Sequence, residues 1–444
     1  MKVRSEFNSP VYFVFCSCLV LLILSCTSSK KSSVTQLSLS SLLEQSPVFN
    51  NHFTGFVLFD PSAQKTIYSL NGDKYFTPAS NTKILTLYTS LMTLPDTLPS
   101  VRIAVTGDSL IIKGMGDPTL FHELWPEHPV ANLLKQTNKK IFLVNDLLQD
   151  DVQGSGWAWD DYQDDYQAEK SALPLYSNLV KFTPGPGESQ FTASPSYFQS
   201  QWSRTDLINP DRHITRNINS NSFEINSGFK YPYYIPFKTD MEVIRELLKD
   251  TLKKDVQLIW PSSLTMGLPW TILHGVPSDT VYAQMMKVSD NFIAEQLLLL
   301  ADSYIKDSCN TAQSIQYAKQ HFFQGVPDTF QWYDGSGLSR YDLITPRTLV
   351  YILNLVKEKL MMDGIKKIFP TGGVGTLSRW YQGPSPYVYA KTGSLMNNHS
   401  LSGFIHTNKG HDLIFSFMHS NYLRSVNPIR MEMQKTLEFI RDNY

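Results

Sequence analysis

Three short motifs, far apart in the chain, constrain this sequence more than any other feature. They are Ser80-Asn81-Thr82-Lys83, Ser289-Asp290-Asn291 and Lys391-Thr392-Gly393. The first motif is common by itself, since serine followed three residues later by lysine also occurs at Ser28, Ser62, Ser227 and Ser303. The structural elements predicted around each motif must therefore decide whether the three belong to one site.

The residues around Ser80 predict a hairpin followed by a helix. The runs GFVLFD and KTIYSL flank a turn, and KILTLYTSLMTL after Ser80 has apolar residues at helical spacing. Ser80 then lies in the first helical turn beside Lys83, because residues i and i+3 share a helix face. The N–H groups of that turn point toward a developing oxyanion. The alternative is that Ser80 is only a helix cap and Lys83 is exposed.

The second motif is predicted to be a short loop between two helices. Apolar periodic runs, VYAQMMKV and FIAEQLLLLADSYI, precede and follow it. Ser289 could pass a proton to a leaving amine, and Asn291 could hold a substrate amide and fix the Lys83 side chain. An ordinary helix cap by Ser289 or Asp290 is the alternative.

The third motif is predicted to lie in a strand, VYAKTGSL, followed by the strand-like runs LSGFIHT and LIFSFMHS. A glycine inside a strand often marks the close approach of another backbone, and we expect an extended peptide substrate to make it at Gly393. Lys391 and Thr392 would bind a terminal carboxylate, and the Ser394 N–H would share the oxyanion hole with that of Ser80. The alternative is an edge strand with a protective lysine.

These residue types suit nucleophilic catalysis. A serine hydroxyl attacks poorly until a base takes its proton, and a lysine, whose ordinary pKa is about 10.4, serves only when its neutral form is favoured. Burial and the second cation, Lys391, both push the pKa of Lys83 down. The expected reaction is acyl transfer, in which Ser80 attacks and Lys83 accepts its proton.

Further runs carry a resemblance to a known family: TPASNTK, KGMGDPTL, GWAWDD, SDNFIAEQLL, DGSGLSRYDLITP, TGGVGTLSRW and AKTGSL. From about residue 54 to about residue 422 the chain resembles the type-4, low-molecular-mass class C penicillin-binding proteins. These are D-alanyl-D-alanine carboxypeptidases and endopeptidases of the serine peptidase S13 group. The resemblance implies an α/β (α+β) class and the β-lactamase/transpeptidase-like fold, in which an antiparallel sheet of both terminal parts is flanked by helices.

The resemblance also implies a substrate and an inhibitor. Peptidoglycan stem peptides would be cleaved between two D-alanines, and β-lactams would acylate Ser80. In the family an aspartate of the motif matching GWAWDD approaches the amine of the third substrate residue, and Asp161 corresponds to it. A solvated acidic loop is an equal alternative, because Asp160, Asp164 and Asp165 lie nearby. The runs DGSGLS and GGVGT are interpreted as structural turns.

The distance between the first two motifs predicts an insertion. About 200 residues separate Ser80 from Ser289, far more than a short helical connection needs. We expect a discontinuous peptidase domain of residues 41–97 and 273–444 and a large inserted β-rich domain of residues 98–272. The insertion would open with the hairpin VRIAVTGDSLIIKG and carry the helix MEVIRELLKDTL near its end.

The first 26 residues are predicted to be a lipoprotein signal peptide. Lys2 and Arg4 precede an apolar run over residues 11–24, which is too short for an ordinary transmembrane helix. The run ends in Ile-Leu-Ser-Cys26, which resembles a bacterial lipobox. Cys26 would then be lipidated and residues 27–40 would form a polar tether. The alternative is a secreted protein cleaved nearby.

Composition excludes several other classes. The chain has 39 basic and 40 acidic residues and a net charge of -1, so its charge balance does not indicate a nucleic-acid-binding protein. Cys309 is the one cysteine beyond the leader and Cys26, so no internal disulfide is expected. The sequence has no H-E-x-x-H or C-x-x-C motif, and we expect no metal and no cofactor.

The leading hypothesis is a lipid-anchored D,D-peptidase on the periplasmic side of the bacterial envelope, with the outer membrane favoured over the inner. A β-lactamase or esterase-like serine hydrolase of the same fold is a second hypothesis. A penicillin-binding sensor that forms the acyl-enzyme without turnover is the third. Whether the protein forms a homodimer is left open.

Overall fold

The computed structural model describes residues 39–145, 148–187, 190–205, 212–226, 229–262, 265, 267–423 and 425–444. The predicted signal peptide, Cys26 and residues 27–38 of the predicted tether lie outside the described residues. The strands of the described part are β1 (Phe53–Asp60), β2 (Lys65–Leu70), β3 (Thr97–Thr106), β4 (Ser109–Gly114), β5 (Lys140–Val144), β6 (Leu179–Pro184), β7 (Phe191–Ser194), β8 (Trp202–Arg204), β9 (Ile214–Arg216), β10 (Phe223–Ile225), β11 (Tyr233–Pro236), β12 (Val256–Ile259), β13 (Thr271–Pro277), β14 (Val388–Leu395), β15 (Asn398–His406) and β16 (Asp412–Ser420).

The longer α-helices are α1 (Lys83–Thr93), α2 (Pro129–Gln136), α3 (Met241–Leu252), α4 (Ser278–Lys287), α5 (Asn291–Lys306), α6 (Thr311–His321), α7 (Pro346–Ile368) and α8 (Asn427–Asn443). Several predictions from periodicity are confirmed by these bounds. The hairpin before Ser80 is β1 and β2, the helix predicted for MEVIRELLKDTL is α3, and the third motif lies in β14.

A five-stranded antiparallel sheet joins the two terminal parts of the chain. Its order is β14-β15-β16-β1-β2, and its register pairs Val57 of β1 with Ser416 of β16 and Gly393 of β14 with Ser400 of β15. The central strands β15 and β16 are buried on both faces, because helices cover each face. One face packs against α1 and α7, and the other packs against α8. The antiparallel sheet flanked by helices is therefore confirmed.

The middle of the chain builds a second five-stranded sheet. Its order is β12-β5-β4-β3-β13, with β5 parallel to both β4 and β12 and the other pairs antiparallel. Two three-stranded sheets, β11-β6-β7 and β8-β10-β9, lie beside it. Side chains of this region, such as Ile112, Leu143, Phe182 and Phe237, form their own hydrophobic core. This core is distinct from the two that flank the first sheet.

Two packed helices carry parts of the first two motifs. In α1 the side chains of Ile84 and Leu87 are fully buried, and α5 is buried from Phe292 to Ser303. A helix that is apolar on nearly every side is expected only in a protein core or a membrane. Here α5 lies in the core, against α1 and α6. In the part of the chain that the structure describes, no helix has the length and hydropathy needed to cross a bilayer.

Candidate active site

Ser80 lies in a tight turn that leads directly into a helix. The turn is a 3-10 helix from Ala79 to Thr82, and α1 begins at Lys83. Ala79 has a φ of 49°, a left-handed conformation that costs energy in a residue other than glycine. Such strain is common where a backbone must present a functional side chain. The expected position of Ser80 in the first turn of α1 is thus shifted by one turn, into the 3-10 helix that precedes it.

Lys83 is fully buried, and its amine has three hydrogen-bond partners. The Nζ atom lies 3.0 Å from Ser80 Oγ, 2.6 Å from Asn291 Oδ1 and 2.7 Å from the carbonyl oxygen of Ser336. An ammonium group has three donors, so each has a partner here. The alternative of an exposed surface lysine is excluded by its exposure of 0%.

The second motif lies between α4 and α5, as its flanking periodicity predicted. Asp290 caps α5 by accepting a hydrogen bond from the Ile293 N–H at 3.0 Å. Asn291 uses both ends of its amide, because Nδ2 donates to the Tyr166 carbonyl at 3.0 Å while Oδ1 accepts from Lys83. Ser289 has a left-handed φ of 65°. The loop therefore both caps a helix and directs two polar side chains to one place.

Lys391 is also fully buried, although β14 is an edge strand of its sheet. Its Nζ donates to Ser289 Oγ at 2.8 Å and to the carbonyl oxygen of Thr392 at 2.8 Å. A lysine that protects a sheet edge would instead extend into solvent. The structure thus directs the Lys391 amine at the second motif, and its expected contact with a substrate carboxylate stays a prediction.

Gly393 allows the strand to lie against the turn that carries Ser80. A Cβ atom at residue 393 would lie 2.4 Å from the Pro78 carbonyl oxygen and 2.7 Å from Asn81 Nδ2. The close approach expected from a substrate backbone is therefore made by the chain itself. On the other face of β14, Thr392 Oγ1 lies 2.8 Å from Thr376 Oγ1, and Ser394 Oγ lies 2.8 Å from His399 Nδ1.

The run DGSGLS, interpreted from sequence as a structural turn, contacts Lys83 and the turn that carries Ser80. The Asp334 carboxylate accepts from the N–H groups of Gly337 and Ser339 at 2.8 and 2.7 Å and from Trp157 Nε1 at 2.8 Å. Gly337 has a φ of 81°, and a Cβ there would lie 1.9 Å from the Ala79 carbonyl oxygen. The loop therefore packs directly on the Ser80 turn.

Glu295 of α5 orients the peptide group that contacts Lys83. Its carboxylate accepts hydrogen bonds from the N–H groups of Gly335 at 3.0 Å and Ser336 at 2.7 Å. The carbonyl oxygen of Ser336 then faces the Lys83 amine. Glu295 is thus linked to Lys83 through one loop residue.

Burial governs protonation in this site. It lowers the pKa of Lys83 to about 8, against the opposing effect of the Asp334, Glu295 and Asp290 carboxylates. Burial, together with the charge of Lys83, holds the pKa of Lys391 well below its ordinary value. Burial and the neighbouring Asp334 raise the pKa of Glu295 to about 7. The neutral form of each lysine is therefore easier to reach than in an exposed lysine, and a serine-activating base must pass through that form.

Two cavities meet at Ser289. One, of about 350 Å³, has walls formed by Ser80, Ser289, Thr376, Leu377, Trp380, Tyr381, Thr392, Ser394, His399, Leu401 and Arg430. The other, of about 620 Å³, extends from Ser289, Asp290 and Asn291 toward the middle part of the chain, where Glu123, Lys181 and Tyr234 line it. Both volumes lie in the range of about 300–1,000 Å³ that is typical of ligand sites.

Asp161 lies at the edge of this arrangement. It is partly buried at the end of the 3-10 helix Trp159–Asp161 and lies near the Tyr166 hydroxyl, which donates a hydrogen bond to Asp164 Oδ2 at 3.2 Å. Tyr166 lines the larger cavity, and its carbonyl accepts a hydrogen bond from Asn291. Asp161 therefore lies near Tyr166, which in turn contacts the motif residue Asn291. The role of Asp161 stays a prediction.

Several site residues were missed from sequence. Thr376, the Ser336 carbonyl and Arg430 lie in a turn, a loop and a terminal helix whose contacts with the motifs are not local. Glu295 did leave a signal, since it is the single charged residue of the apolar run FIAEQLLLL. Among the residues that the structure describes, no group of three or more histidine, cysteine, aspartate or glutamate side chains could hold a metal ion.

Comparison with known proteins identifies the family. The sequence profile of the D-Ala-D-Ala carboxypeptidase 3 (S13) family matches residues 35–440, so the chain belongs to this family of hydrolases. The chain is 24% identical over 459 residues to the D-alanyl-D-alanine carboxypeptidase DacB of Haemophilus influenzae, covering 92% of this chain and 93% of DacB. It is 25% identical over 403 residues to the penicillin-sensitive carboxypeptidase A of Dictyostelium discoideum, covering 76% of each chain.

Solved structures show the same fold. The crystal structure of penicillin binding protein 4 (dacB) from Haemophilus influenzae matches with a TM-score of 0.71 and 21% identity, covering 91% of this chain and 99% of that one. The endopeptidase Bd3459 from Bdellovibrio bacteriovorus matches with a TM-score of 0.54 and 16% identity, covering 87% and 92%. The β-lactamase/transpeptidase-like fold and the assignment as a D-Ala-D-Ala carboxypeptidase therefore hold for this chain.

Proposed function

We propose that the protein cleaves the bond between two D-alanines of peptidoglycan stem peptides through an acyl-enzyme on Ser80. The observation that carries the proposal is the convergence of the three motifs. Lys83 Nζ lies 3.0 Å from Ser80 Oγ, and Lys391 Nζ lies 2.8 Å from Ser289 Oγ. One buried amine is thus paired with the proposed nucleophile and the other with the proposed proton donor.

Acylation begins when neutral Lys83 accepts the proton of Ser80 and Oγ attacks the carbonyl carbon of the penultimate D-alanine. The negative charge of the tetrahedral intermediate falls on the carbonyl oxygen, which faces the N–H groups of Ser80 and Ser394. Collapse of the intermediate breaks the C–N bond, and Ser289 gives its proton to the departing amine. Lys391 then donates a proton to the Ser289 oxygen and so restores the hydroxyl. Lys83 reprotonates Lys391 with the proton that it took from Ser80.

Deacylation repeats these steps with water as the nucleophile. Lys83 takes a proton from water, the hydroxide attacks the ester carbonyl, and Ser80 leaves with a proton returned to its oxygen. The products are a shortened stem peptide and free D-alanine. We propose that Asn291 holds the substrate amide, that Thr392 and Gly393 border the extended peptide, and that Asp161 reads the amine of its third residue.

β-Lactams are proposed as covalent inhibitors at the same serine. Their strained amide can be attacked as the peptide is, but the ring opens without releasing an amine, so the leaving group stays attached and impedes water. The Haemophilus influenzae relative was crystallised as a complex with a β-lactam. We also propose endopeptidase activity on cross-links, because the two cavities that meet at Ser289 leave room on both sides of the scissile bond.

The decisive experiment combines covalent labelling with product analysis. A fluorescent penicillin should add one adduct mass to the peptide that contains Ser80, and a stem pentapeptide should lose D-alanine. Ser80→Ala should abolish both while the protein unfolds at the same temperature. Labelling that persists in Ser80→Ala refutes the assignment of the nucleophile.

The same experiment separates the competing hypotheses. Rapid turnover of penicillin without release of D-alanine indicates a β-lactamase or an esterase-like enzyme. A stable adduct without release of D-alanine indicates a sensor. Incubation with purified cell-wall fragments, resolved by mass, then measures carboxypeptidase against endopeptidase products.

We propose that residues 98–272 form an inserted domain between two parts of the peptidase domain, 41–97 and 273–444. The separate hydrophobic core of the middle sheets supports this division. We further propose a place in the bacterial cell envelope, on the periplasmic side of the outer membrane, with Cys26 as the lipidated residue. Cys26→Ser should move the protein from the membrane fraction to the soluble fraction, and unchanged membrane association contradicts the anchor.

A further inference from the structure

The smaller cavity requires a cation that the third motif does not supply. The sequence predicts that Thr392 binds the terminal carboxylate of the substrate, and Thr392 lines this cavity together with Thr376, beside Ser80. The Lys391 amine is fully buried and engaged with Ser289 Oγ and the Thr392 carbonyl. A carboxylate held by hydroxyls alone loses solvation without gaining an opposite charge, which is unfavourable.

The composition of the cavity wall favours an anion. Its lining contains no aspartate or glutamate, and six of its side chains carry a hydroxyl: Ser80, Ser289, Thr376, Tyr381, Thr392 and Ser394. The larger cavity is lined by three acidic residues, Glu123, Asp165 and Asp290, and by Lys181, which forms an ion pair with Glu123 at 2.7 Å, so acidic groups are in excess there. The two cavities on either side of Ser289 therefore differ in the charge that they favour.

Arg430 is the arginine in the wall of the smaller cavity. It comes from the first turns of α8, which packs on the same sheet face as Thr392 and Ser394. Throughout the described ranges, no carboxylate forms an ion pair with the Arg430 guanidinium. Most other arginines of the structure do have such a partner, for example Arg441 with Asp442 and Arg347 with Asp328.

The groups around Arg430 do not neutralise it. Burial and the positive charge of Arg430 together lower the pKa of His399 to about 3, so this ring is neutral. His399 is instead hydrogen-bonded to Ser394 Oγ at 2.8 Å. Tyr381 and Tyr422 also lie near Arg430, and burial raises the pKa of both, so they too are neutral.

We propose that Arg430 binds the carboxylate of the substrate's terminal residue and thereby makes the enzyme specific for a free carboxylate next to the scissile bond. A guanidinium can donate two parallel hydrogen bonds to a carboxylate, which gives geometry as well as charge. Thr392 and Thr376 then supply hydroxyl contacts, while Lys391 serves Ser289. This inference rests on the proposed function, and it adds a recognition residue that lies outside the three motifs.

The test compares two substrates that differ only in this carboxylate. Both are acyl-D-alanyl thioesters; the leaving thiol is thioglycolate in one and its neutral amide, thioglycolamide, in the other. Arg430→Gln should lower kcat/KM for the thioglycolate ester by about 10- to 100-fold, the usual effect of losing a hydrogen bond to a charged group. For the neutral ester the same variant should leave kcat/KM within about twofold of wild type.

Two further variants complete the test. Arg430→Lys keeps the charge and should recover part of the lost kcat/KM for the thioglycolate ester. Arg441→Gln, on the same helix but paired with Asp442, is the matched control and should have no effect. Equal losses of kcat/KM on both esters, or no loss on either, overturn the proposal. A wild-type protein that cleaves neither ester and is not labelled by penicillin instead contradicts the proposed function.

Discussion

The carbonyl oxygen of Ser336 accepts a hydrogen bond from the Lys83 amine at 2.7 Å, across 253 residues of sequence. The proposed base is therefore positioned by a loop that belongs to none of the three motifs. Glu295 holds that loop through the N–H groups of Gly335 and Ser336. Catalytic geometry at Ser80 thus depends on a buried carboxylate that has no direct contact with Ser80 among the described residues.

Replacing Glu295 by glutamine should slow acylation without weakening substrate binding. One of the two N–H groups loses its acceptor, so the Ser336 carbonyl is held less well, and we expect a loss of about tenfold in the acylation rate constant. The variant also removes a negative charge that raises the pKa of Lys83. The midpoint of the pH profile should therefore move to lower pH. Stopped-flow acylation by a chromogenic β-lactam measures both quantities, and an unshifted profile argues against this role.

The wild-type enzyme should gain activity as the pH rises. Lys83 must be neutral to accept the Ser80 proton, and burial lowers its pKa to about 8. The second-order rate constant for acylation should increase through pH 8 and then level off. If Lys83 kept an ordinary lysine pKa, the rise would continue toward about pH 10. A profile that falls between pH 7 and 9 is inconsistent with lysine as the base.

Lys83→Met should separate catalysis from binding. Methionine retains much of the volume of the buried side chain but cannot accept a proton, and general-base catalysis contributes about 10²- to 10⁴-fold. The acylation rate constant should fall by this factor, whereas the dissociation constant of the non-covalent complex should change little. Lys319→Met is the matched control, since Lys319 is a partly buried lysine bonded to the Phe330 carbonyl, outside both cavities.

Local sequence patterns predicted much of the fold for a physical reason. Alternation and helical spacing arise from contacts between near neighbours, so the β1–β2 hairpin, α3 and β14 could be recognised from their own residues. The three-residue strands β8 to β10 carry too few residues for such a pattern. The parallel pairing of β5 with β12 joins distant segments and leaves no local signal.

For each motif of the site, the sequence predicted the secondary-structure element on which the motif lies. Sequence indicated that Ser80 and Lys83 share one face, because three residues fix that relation. It did not indicate that Lys391 faces Ser289, since the direction of a strand side chain depends on which face packs against α1. The contribution of Arg430 was also hidden, because α8 reaches the cavity only through the packing of the C-terminal part.

Gly393→Ala should damage both stability and acylation. The added Cβ would lie 2.4 Å from the Pro78 carbonyl oxygen, so either β14 or the turn that carries Ser80 must move. Overpacking of this kind costs about 1–3 kcal/mol, and a displaced Ser80 slows acylation even in the folded protein. Thermal unfolding and the acylation rate constant measure the two effects. Gly383→Ala is the matched control, because its Cβ would meet no atom closer than 3.4 Å. Wild-type acylation in Gly393→Ala would show that this contact does not position the nucleophile.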